Sequence, residues 1–263
     1  DYDALERAVT PQTRAVMPVS IFGNPLDYDR LREISQRHSL YVIEDAACSI
    51  GARYLNRHVG NLADLSVFSF HPRKFITTGE GGMVTTNNPE WAKWMNAYKH
   101  FGMTPSDSRR MAQFDQIGTN YKLSNLQAAV GWVQMHHIDA LLNRRARLAE
   151  RYRQLLDGCD QVVLPQITPG GSHSWQSCCI LVENRDETIL KMQTQQIETQ
   201  IGTYALHMHR AFSGNSNCRI SGSLAGSRYA FDHCLTLPLY HEMTEADQDR
   251  VVKTLLSVLP RMR

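Results

Sequence analysis

One short stretch, a strand pattern that runs into a proline, a lysine and several glycines, most constrains what this chain folds into. Residues 65–70 mix β-branched and aromatic residues with serines, which is typical of a strand, and Pro72 ends the pattern. Lys74 therefore lies on a loop just past a strand end, and three glycines follow within residues 79–82. Because open α/β sheets build ligand sites at the carboxyl ends of their strands, we predict a site around Lys74.

A second strand pattern, at residues 41–45, ends in acidic residues. It reads Tyr-Val-Ile-Glu-Asp, so Asp45 closes a predicted strand and would share a sheet edge with Lys74 if the two strands are neighbours. Taken alone, a lysine or an aspartate is most often a solvated surface residue. Together they match a pyridoxal phosphate (PLP) enzyme, which needs a lysine for the Schiff base and a carboxylate for the pyridinium nitrogen.

Three motifs extend this pattern into a family resemblance, namely residues 44–47 (Glu-Asp-Ala-Ala), 69–74 (Ser-Phe-His-Pro-Arg-Lys) and 78–82 (Thr-Gly-Glu-Gly-Gly). With residues 118–124, 127–129 and 237–240, they resemble the DegT/StrS family of PLP-dependent sugar aminotransferases, which share the aspartate aminotransferase fold, fold type I. The resemblance covers nearly the whole chain. It implies an α/β fold: a three-layer PLP-dependent transferase large domain, here partial and with a mainly parallel sheet, followed by a smaller α+β C-terminal domain.

The order of predicted elements agrees with that division. A strand over residues 15–21, a helix that starts at Asp27 and the strand over 41–45 form a β-α-β unit, which predicts a parallel sheet. We predict a PLP-binding large domain over residues 1–138, incomplete at its N-terminal side. A bridging helix and the small domain follow over 139–263, with these predicted elements: strands over 175–182 and 202–206, and helices over 186–200 and 244–259.

The resemblance implies a role for each matching residue around the cofactor. Lys74 would form the Schiff base and later move the proton as a free amine, and Asp45 would pair with the pyridinium nitrogen. Ser69 would hydrogen-bond the cofactor phosphate. Cys48 stands where many family members have a glutamine or histidine that contacts the phenolic oxygen of the cofactor. Because a thiol is a weaker donor, the resemblance places Cys48 in the cofactor site without the usual contact.

The resemblance also implies a second subunit and two substrates. Asn120 matches the family asparagine that reaches the phosphate in the neighbouring subunit's site, so we expect a homodimer with shared active sites. The substrates would be a keto-sugar, nucleotide-linked, and an amino-acid donor such as glutamate. Three residues would contact the substrate: His71, Tyr204 and His207. For residues 201–207, a packed strand with a satisfied histidine is an equally good interpretation.

Three functions remain open at the level of sequence. An aminotransferase in cell-surface polysaccharide or secondary-metabolite sugar biosynthesis leads. A PLP-dependent sugar dehydratase is the alternative, but family dehydratases have histidine in place of the Schiff-base lysine, and this chain has Lys74. A non-catalytic regulatory or scaffolding protein is the third, and an absorption spectrum taken with added PLP separates it from the two enzymes.

Composition excludes several other classes. The formal charge of +2 is spread along the chain, so we predict no nucleic-acid partner. No window approaches the roughly 20 apolar residues of a membrane helix, which leads us to expect a soluble, cytoplasmic protein without a membrane partner. The six cysteines form no C-x-x-C pair, and neither they nor the eleven histidines have metal-ligand spacing. We therefore predict reduced thiols and no metal site.

One further expectation concerns the start of the chain. Family members usually carry on the order of a hundred residues before the point that matches Asp1, including a phosphate-binding turn and an aromatic residue that stacks on the pyridine. Charge-assisted hydrogen bonds to the phosphate contribute about 1.5–3 kcal/mol each. We therefore expect the 263-residue chain alone to bind PLP weakly and to be inactive.

Overall fold

The computed structural model of the protein describes residues 1–104 and 113–260. Its helices are α1 Tyr2–Ala8, α2 Tyr28–Arg37, α3 Pro89–Tyr98, α4 Asn125–His136, α5 Ile138–Leu155, α6 Arg185–Thr194, α7 Ala225–His233 and α8 Glu245–Val258. Its strands are β1 Ala15–Val16, β2 Tyr41–Asp45, β3 Arg53–Tyr54, β4 Arg57–His58, β5 Leu65–Ser69, β6 Gly82–Thr85, β7 Met103–Thr104, β8 Gln113–Phe114, β9 Val162–Val163, β10 Gly171–Ser172, β11 Cys178–Val182, β12 Gln200–Ile201 and β13 Cys234–Leu237.

The described chain forms two compact units. The N-terminal unit comprises residues 13–139 with 169–172, and the C-terminal unit comprises residues 1–12, 140–168 and 173–263. Within the described ranges, none of the helices combines the length and the apolar composition that a bilayer crossing requires.

The main sheet of the N-terminal unit has the strand order β1-β2-β5-β6. The first three strands are parallel, and β6 runs antiparallel to β5. The predicted strand over residues 15–21 is wrong in length, because β1 ends at Val16 and a 3₁₀ turn occupies Ile21–Gly23. Pro18 explains the early end, since proline has no backbone N–H to donate to a neighbouring strand.

Helix α2 covers this sheet for reasons that are visible in its sequence. Asp27, where the helix was predicted to start, caps it, because its side chain accepts a hydrogen bond from the backbone N–H of Arg30. Tyr28, Leu31 and Ile34 recur at helical spacing and are all buried. The helix therefore presents one apolar face to the unit's interior.

A buried carboxylate lies under this helix. Glu44 has no exposed surface and accepts hydrogen bonds from three hydroxyl groups, those of Ser20, Tyr28 and Ser66. The donor–acceptor distance is 2.5 Å for Tyr28 and 2.8 Å for Ser66. Because a carboxylate only accepts hydrogen bonds, the three donors satisfy it inside the fold.

We expect Glu44→Ala to destabilise the protein by about 3–5 kcal/mol, because it leaves three buried hydroxyls without their acceptor and opens a cavity. Glu44→Gln keeps the shape but turns an amide donor toward a hydroxyl, so its effect should be smaller. Urea denaturation measures both, with Glu33→Ala on the exposed side of α2 as the control, expected within about 0.5 kcal/mol of wild type. A Glu44→Ala protein as stable as this control would contradict the cluster's structural role.

The C-terminal unit is built on an antiparallel sheet of order β12-β13-β11-β9. Its core joins α5, α6 and α8 to this sheet through buried side chains that include Tyr152, Ile180, Met192, Leu235 and Leu255. Helix α8 begins with a capping box, in which the Thr244 and Asp247 side chains each accept from the other's backbone N–H. The unit is α+β, because its sheet is antiparallel and its helices pack against that sheet.

Three predicted elements in this unit are wrong in whole or in part. The strand predicted over 202–206 does not form: β12 ends at Ile201, because backbone pairing with β13, which begins at Cys234, stops at Gly202. The strand over 175–182 starts only at Cys178, since Trp175 has a left-handed φ of 56°. Helix α6 ends at Thr194, just before Gln196, whose φ of 57° does not continue a helix.

A buried histidine links this unit's stability to pH. His173 is 9% exposed and stacks on Trp175 with ring centroids 4.0 Å apart. Its Nδ1 accepts a hydrogen bond from the backbone N–H of Trp175 at 2.8 Å, which requires an unprotonated Nδ1. Burial lowers the pKa of His173 from 6.5 to about 4, so the neutral ring is the native form.

We expect the unit to lose stability as the pH falls. The folded pKa lies below the unfolded one, so the contribution of His173 is fully present above pH 6.5 and is lost progressively toward pH 4. The loss attributable to this residue is about 3 kcal/mol. His173→Asn keeps an acceptor near the Nδ1 position but does not titrate, so it should flatten the pH dependence of urea unfolding. His137→Asn, which changes an exposed histidine, should leave the pH dependence of urea unfolding as in the wild type.

Candidate active site

The carboxyl ends of β2 and β5 define the candidate site. These strands are parallel neighbours, with Asp45 in register with Val67, two residues before Ser69. Asp45 and Ser69 are the last residues of their strands, so both lie at the sheet edge formed by the carboxyl ends of β2 and β5. The edge predicted from the two strand patterns is present.

The loop between β5 and β6 carries Lys74 and is closed by backbone hydrogen bonds. The N–H of Phe70 donates to the carbonyl of Gly81, and the N–H of Thr78 donates to the carbonyl of Phe70. The N–H of Lys74 donates to the carbonyl of His71 at 2.9 Å, which makes a tight turn at the lysine. We call residues 70–81 the lysine loop.

Glycines let this loop return close to the strand it left. A Cβ added at Gly82 would lie 2.7 Å from the carbonyl oxygen of Phe68, a backbone atom that cannot move aside. Gly81 has a φ of 149°, a backbone conformation that other residues rarely adopt. Both positions therefore require glycine for the return into β6.

Two glutamines of α4 hold the lysine loop from outside. Gln134 accepts from the N–H of Thr77 at 3.0 Å and donates to its carbonyl at 2.6 Å. Gln127 donates to the carbonyl of Glu80 at 2.8 Å. The role of Gln134 was not predicted, although the i, i+7 spacing of the two glutamines on one helix face is a signal for it.

The amine of Lys74 points toward a sulfur atom. Lys74 Nζ donates to Cys48 Sγ at 3.2 Å, and both side chains are half-buried. Asp45 Oδ1 accepts from the N–H of Ala47 at 3.0 Å, which orients the carboxylate at the end of β2. An amine, a thiol and a carboxylate therefore follow the ends of two adjacent strands.

Ser69 and His71 form a second polar pair beside the lysine. The Ser69 hydroxyl accepts from the N–H of His71 at 3.3 Å, and this acceptor contact leaves its proton able to bond to an anion. His71 Nδ1 accepts from the N–H of Arg73, so its proton is on Nε2, which lies 3.9 Å from a carboxylate oxygen of Glu80.

Asn120 belongs to the same unit, in a segment pinned to residues 98–102. The N–H of Tyr121 donates to Lys99, and that of Phe101 donates to Thr119. Lys122 Nζ donates to Asn120 Oδ1 at 2.5 Å and lies 4.0 Å from the Phe101 ring centroid. Asn120 is exposed, and its carboxamide oxygen is engaged by Lys122, a contact that the sequence did not indicate.

Tyr204 and His207 lie in the C-terminal unit. Tyr204 is exposed and forms a ring cluster with His209 and Phe231, with centroid separations of about 6 Å. His207 is half-buried in a 3₁₀ turn, Leu206–Met208. The strand predicted over residues 202–206, which includes Tyr204, is absent. The ring contacts of Tyr204 with His209 and Phe231 were not predicted.

Two curated relatives are enzymes of amino-sugar formation by name. GDP-perosamine synthase of Caulobacter vibrioides is 35% identical over 267 residues, which cover 98% of this chain and 70% of the relative. The dTDP-3-amino-3,4,6-trideoxy-alpha-D-glucose transaminase of Streptomyces venezuelae is 33% identical over 249 residues, which cover 94% of this chain and 64% of the relative. This chain therefore spans about two thirds of such relatives.

The solved structures agree. The crystal structure of S. venezuelae DesV in complex with a ketimine intermediate superposes with a TM-score of 0.90 and 32% identity, and it covers 100% of this chain and 70% of DesV. This likeness confirms the predicted α/β fold class. A family model, the DegT/DnrJ/EryC1/StrS aminotransferase family, matches residues 1–256. The chain belongs to the DegT/DnrJ/EryC1/StrS aminotransferase family.

Proposed function

We propose that the protein moves an amino group from an amino acid, glutamate in the first instance, to the ketone of a nucleotide-linked sugar. Two relatives whose names describe the synthesis of amino sugars support this substrate class. The observation that carries the proposal is the pairing of β2 with β5, which brings the Asp45 carboxylate and the lysine loop to one sheet edge. Such a reaction serves polysaccharide or secondary-metabolite biosynthesis in the cytoplasm.

The side chains at this edge fit PLP, the cofactor of this family. They offer an amine, Lys74 Nζ, a carboxylate, Asp45, and a hydroxyl, Ser69, for the aldehyde, ring nitrogen and phosphate of the cofactor. The glycine-lined return of the lysine loop lets a ligand approach the backbone closely. When bound, PLP supplies an electron sink for the charge left behind by the departing α-proton.

The two charged side chains have different tasks in the proposal. Lys74 Nζ accepts the proton from the α-carbon of the amino donor and later delivers a proton to the carbon that is being aminated. Asp45 holds a proton on the ring nitrogen, and the Ala47 N–H keeps the carboxylate in position for this. Lys74 also weighs against the dehydratase alternative, because family dehydratases have histidine at this point.

The remaining site residues bind and orient. Ser69 donates its hydroxyl proton to the phosphate, while the N–H of His71 occupies its acceptor side. Cys48 lies against Lys74 and shapes the amine's surroundings. For the sugar substrate we propose a contact from His71, whereas the roles of Tyr204 and His207 stay predictions from the family resemblance.

We also propose a homodimer, in which Asn120 reaches the phosphate in the partner's site. Asn120 is exposed, and its carboxamide lies beside the Lys122 ammonium, so the two side chains suit an anion. Helix α4 supports the assembly, because none of its residues is buried although large apolar side chains line it. Leu126, Val130 and Val133, which recur at helical spacing, are 83%, 52% and 59% exposed, and an exposed apolar helix face of this kind marks an interaction site.

We expect Leu126→Glu to weaken self-association at least about tenfold, because a charge in a buried apolar interface costs more than 1.4 kcal/mol. Sedimentation velocity across a concentration series measures the effect. Leu190→Glu is the matched control, since Leu190 is also an exposed leucine on a helix, at 63%, but lies on α6. Equal association of both variants would remove α4 from the interface.

The proposed activity is tested by a substrate screen. Nucleotide-linked keto-sugars are incubated with the PLP-loaded protein and with glutamate or glutamine, and mass spectrometry detects the amino-sugar product. Production of an aminated nucleotide sugar with one donor supports the proposal. PLP binding without amination of any keto-sugar in the panel would contradict the substrate class.

A further inference from the structure

The contact between Lys74 and Cys48 suggests a chemistry beyond transamination. We propose that peroxide converts this pair into a covalent sulfur–nitrogen cross-link, a sulfenamide, which thiols reverse. The cross-link itself depends only on the contact, whereas its consequence, a blocked cofactor lysine, rests on the proposed function. Cys48 and Lys74 would thus form a modification site as well as part of the cofactor site.

Two observations support this proposal: the short distance between Lys74 and Cys48, and the hydrogen bonds that fix the turn around Cys48. Lys74 Nζ lies 3.2 Å from Cys48 Sγ, close enough for a bond to form after a small movement. Cys48 lies in a tight turn closed by the hydrogen bond from Ser49 N–H to Ala46, and the buried Ser49 hydroxyl donates to the carbonyl of Ser20 at 2.7 Å. The Cys48 thiol is therefore held in place, and the flexible Lys74 side chain can move toward it.

The proposed reaction has two balanced steps. Hydrogen peroxide first oxidises the Cys48 thiol by two electrons to a sulfenic acid, and the broken O–O bond yields one water. The Lys74 amine, as the neutral base, then attacks Sγ; the S–N bond forms, the S–O bond breaks, and hydroxide leaves with an amine proton as water. Sulfenic acids condense in the same way with backbone nitrogens, and here the side-chain amine is the nucleophile.

Cys48 is more accessible to peroxide than three of the other cysteines, which are buried. None of the six cysteines, all of which lie in the described residues, is in a disulfide. Cys178, Cys179 and Cys234 are buried, and burial raises the pKa of Cys178 to about 12, which disfavours its reactive thiolate. Cys48 is half-buried, so peroxide can reach it, and Cys218 is the exposed reference thiol.

Thiols would reverse the modification without loss of either side chain. A thiolate attacks Cys48 Sγ, and the amine leaves as it takes up a proton, so a mixed disulfide forms on Cys48. A second thiol then releases the Cys48 thiol and carries away the disulfide. Lys74 regains its amine in the first of these steps.

Peptide mapping tests the proposal directly. The PLP-free protein is treated with hydrogen peroxide and digested with trypsin. We expect residues 38–53 and 74–93 to appear as one cross-linked species, lighter by two hydrogen atoms than the two peptides together. Cleavage after Lys74 should be lost to the same extent, and dithiothreitol should restore it. Cys48→Ser should show neither change, while oxidation of Cys218 continues.

The alternatives are decided in the same experiment. Dimedone-labelled or further oxidised Cys48 with undiminished cleavage after Lys74 would overturn the proposal, as would an unreacted Cys48 when Cys218 is fully oxidised. Prior loading with PLP separates this proposal from the proposed function. If the cross-link forms without PLP and PLP suppresses it, both stand. If it forms equally in protein whose PLP occupancy has been verified, the cross-link stands and the cofactor role of Lys74 fails.

Discussion

Replacing Lys74 by alanine is expected to lower the rate of amination by about 10⁴-fold or more, the upper range of what a positioned acid–base group contributes. The group that Lys74 Nζ contacts is the thiol of Cys48, which cannot act as an amine in its place. The loop itself should persist, because its hydrogen bonds run through backbone atoms of Phe70, Thr78 and Gly81. The loss would therefore report chemistry and not unfolding.

Two controls make this result specific. Lys93→Ala removes a lysine from the exposed side of α3 and should leave the rate unchanged. Borohydride reduction of the PLP-loaded protein, followed by peptide mapping, should label Lys74 in the wild type and no lysine in Lys74→Ala. Label on another lysine, or a Lys74→Ala enzyme within tenfold of wild type, would end the assignment.

The sheet edge was predictable from sequence because each of its parts has a local signal. A β-branched run that ends in acid predicts the strand over 41–45, and Pro72 marks the end of the other strand. Cofactor chemistry then connects Asp45 with Lys74, and the structure shows the two strands as parallel neighbours. The roles of the two residues remain predictions.

Other contacts had no local signal, because tertiary packing alone creates them. Glu44 and Asp45 are adjacent acids in the sequence, yet alternation along β2 turns Glu44 into the interior toward three hydroxyls and leaves Asp45 at the strand end. Gln134 reaches the lysine loop from a helix that begins much later in the chain. Residues 202–206 have strand composition but lack a pairing partner, since a strand needs a neighbour as well as a pattern.

Asp45→Asn is expected to leave PLP bound but to slow transamination by about 10²- to 10³-fold, the usual effect of removing one preorganised electrostatic group. The substitution preserves the local structure, because an amide oxygen can still accept from the N–H of Ala47 as Oδ1 does. The amide nitrogen then replaces Oδ2. As a donor, it cannot hold a proton on the ring nitrogen, so the electron sink is weakened while binding through Lys74 and Ser69 is kept.

The neighbouring acid supplies the contrast that decides this prediction. Glu44 is buried and fully engaged with Ser20, Tyr28 and Ser66, so Glu44→Gln should lower stability while the folded fraction keeps its turnover rate. Single-turnover rates with glutamate, corrected for PLP occupancy, separate the two effects. A normal rate in Asp45→Asn together with a slow one in folded Glu44→Gln would transfer the ring-nitrogen role to Glu44. The strand alternation, which places one carboxylate inside and one at the edge, argues for Asp45.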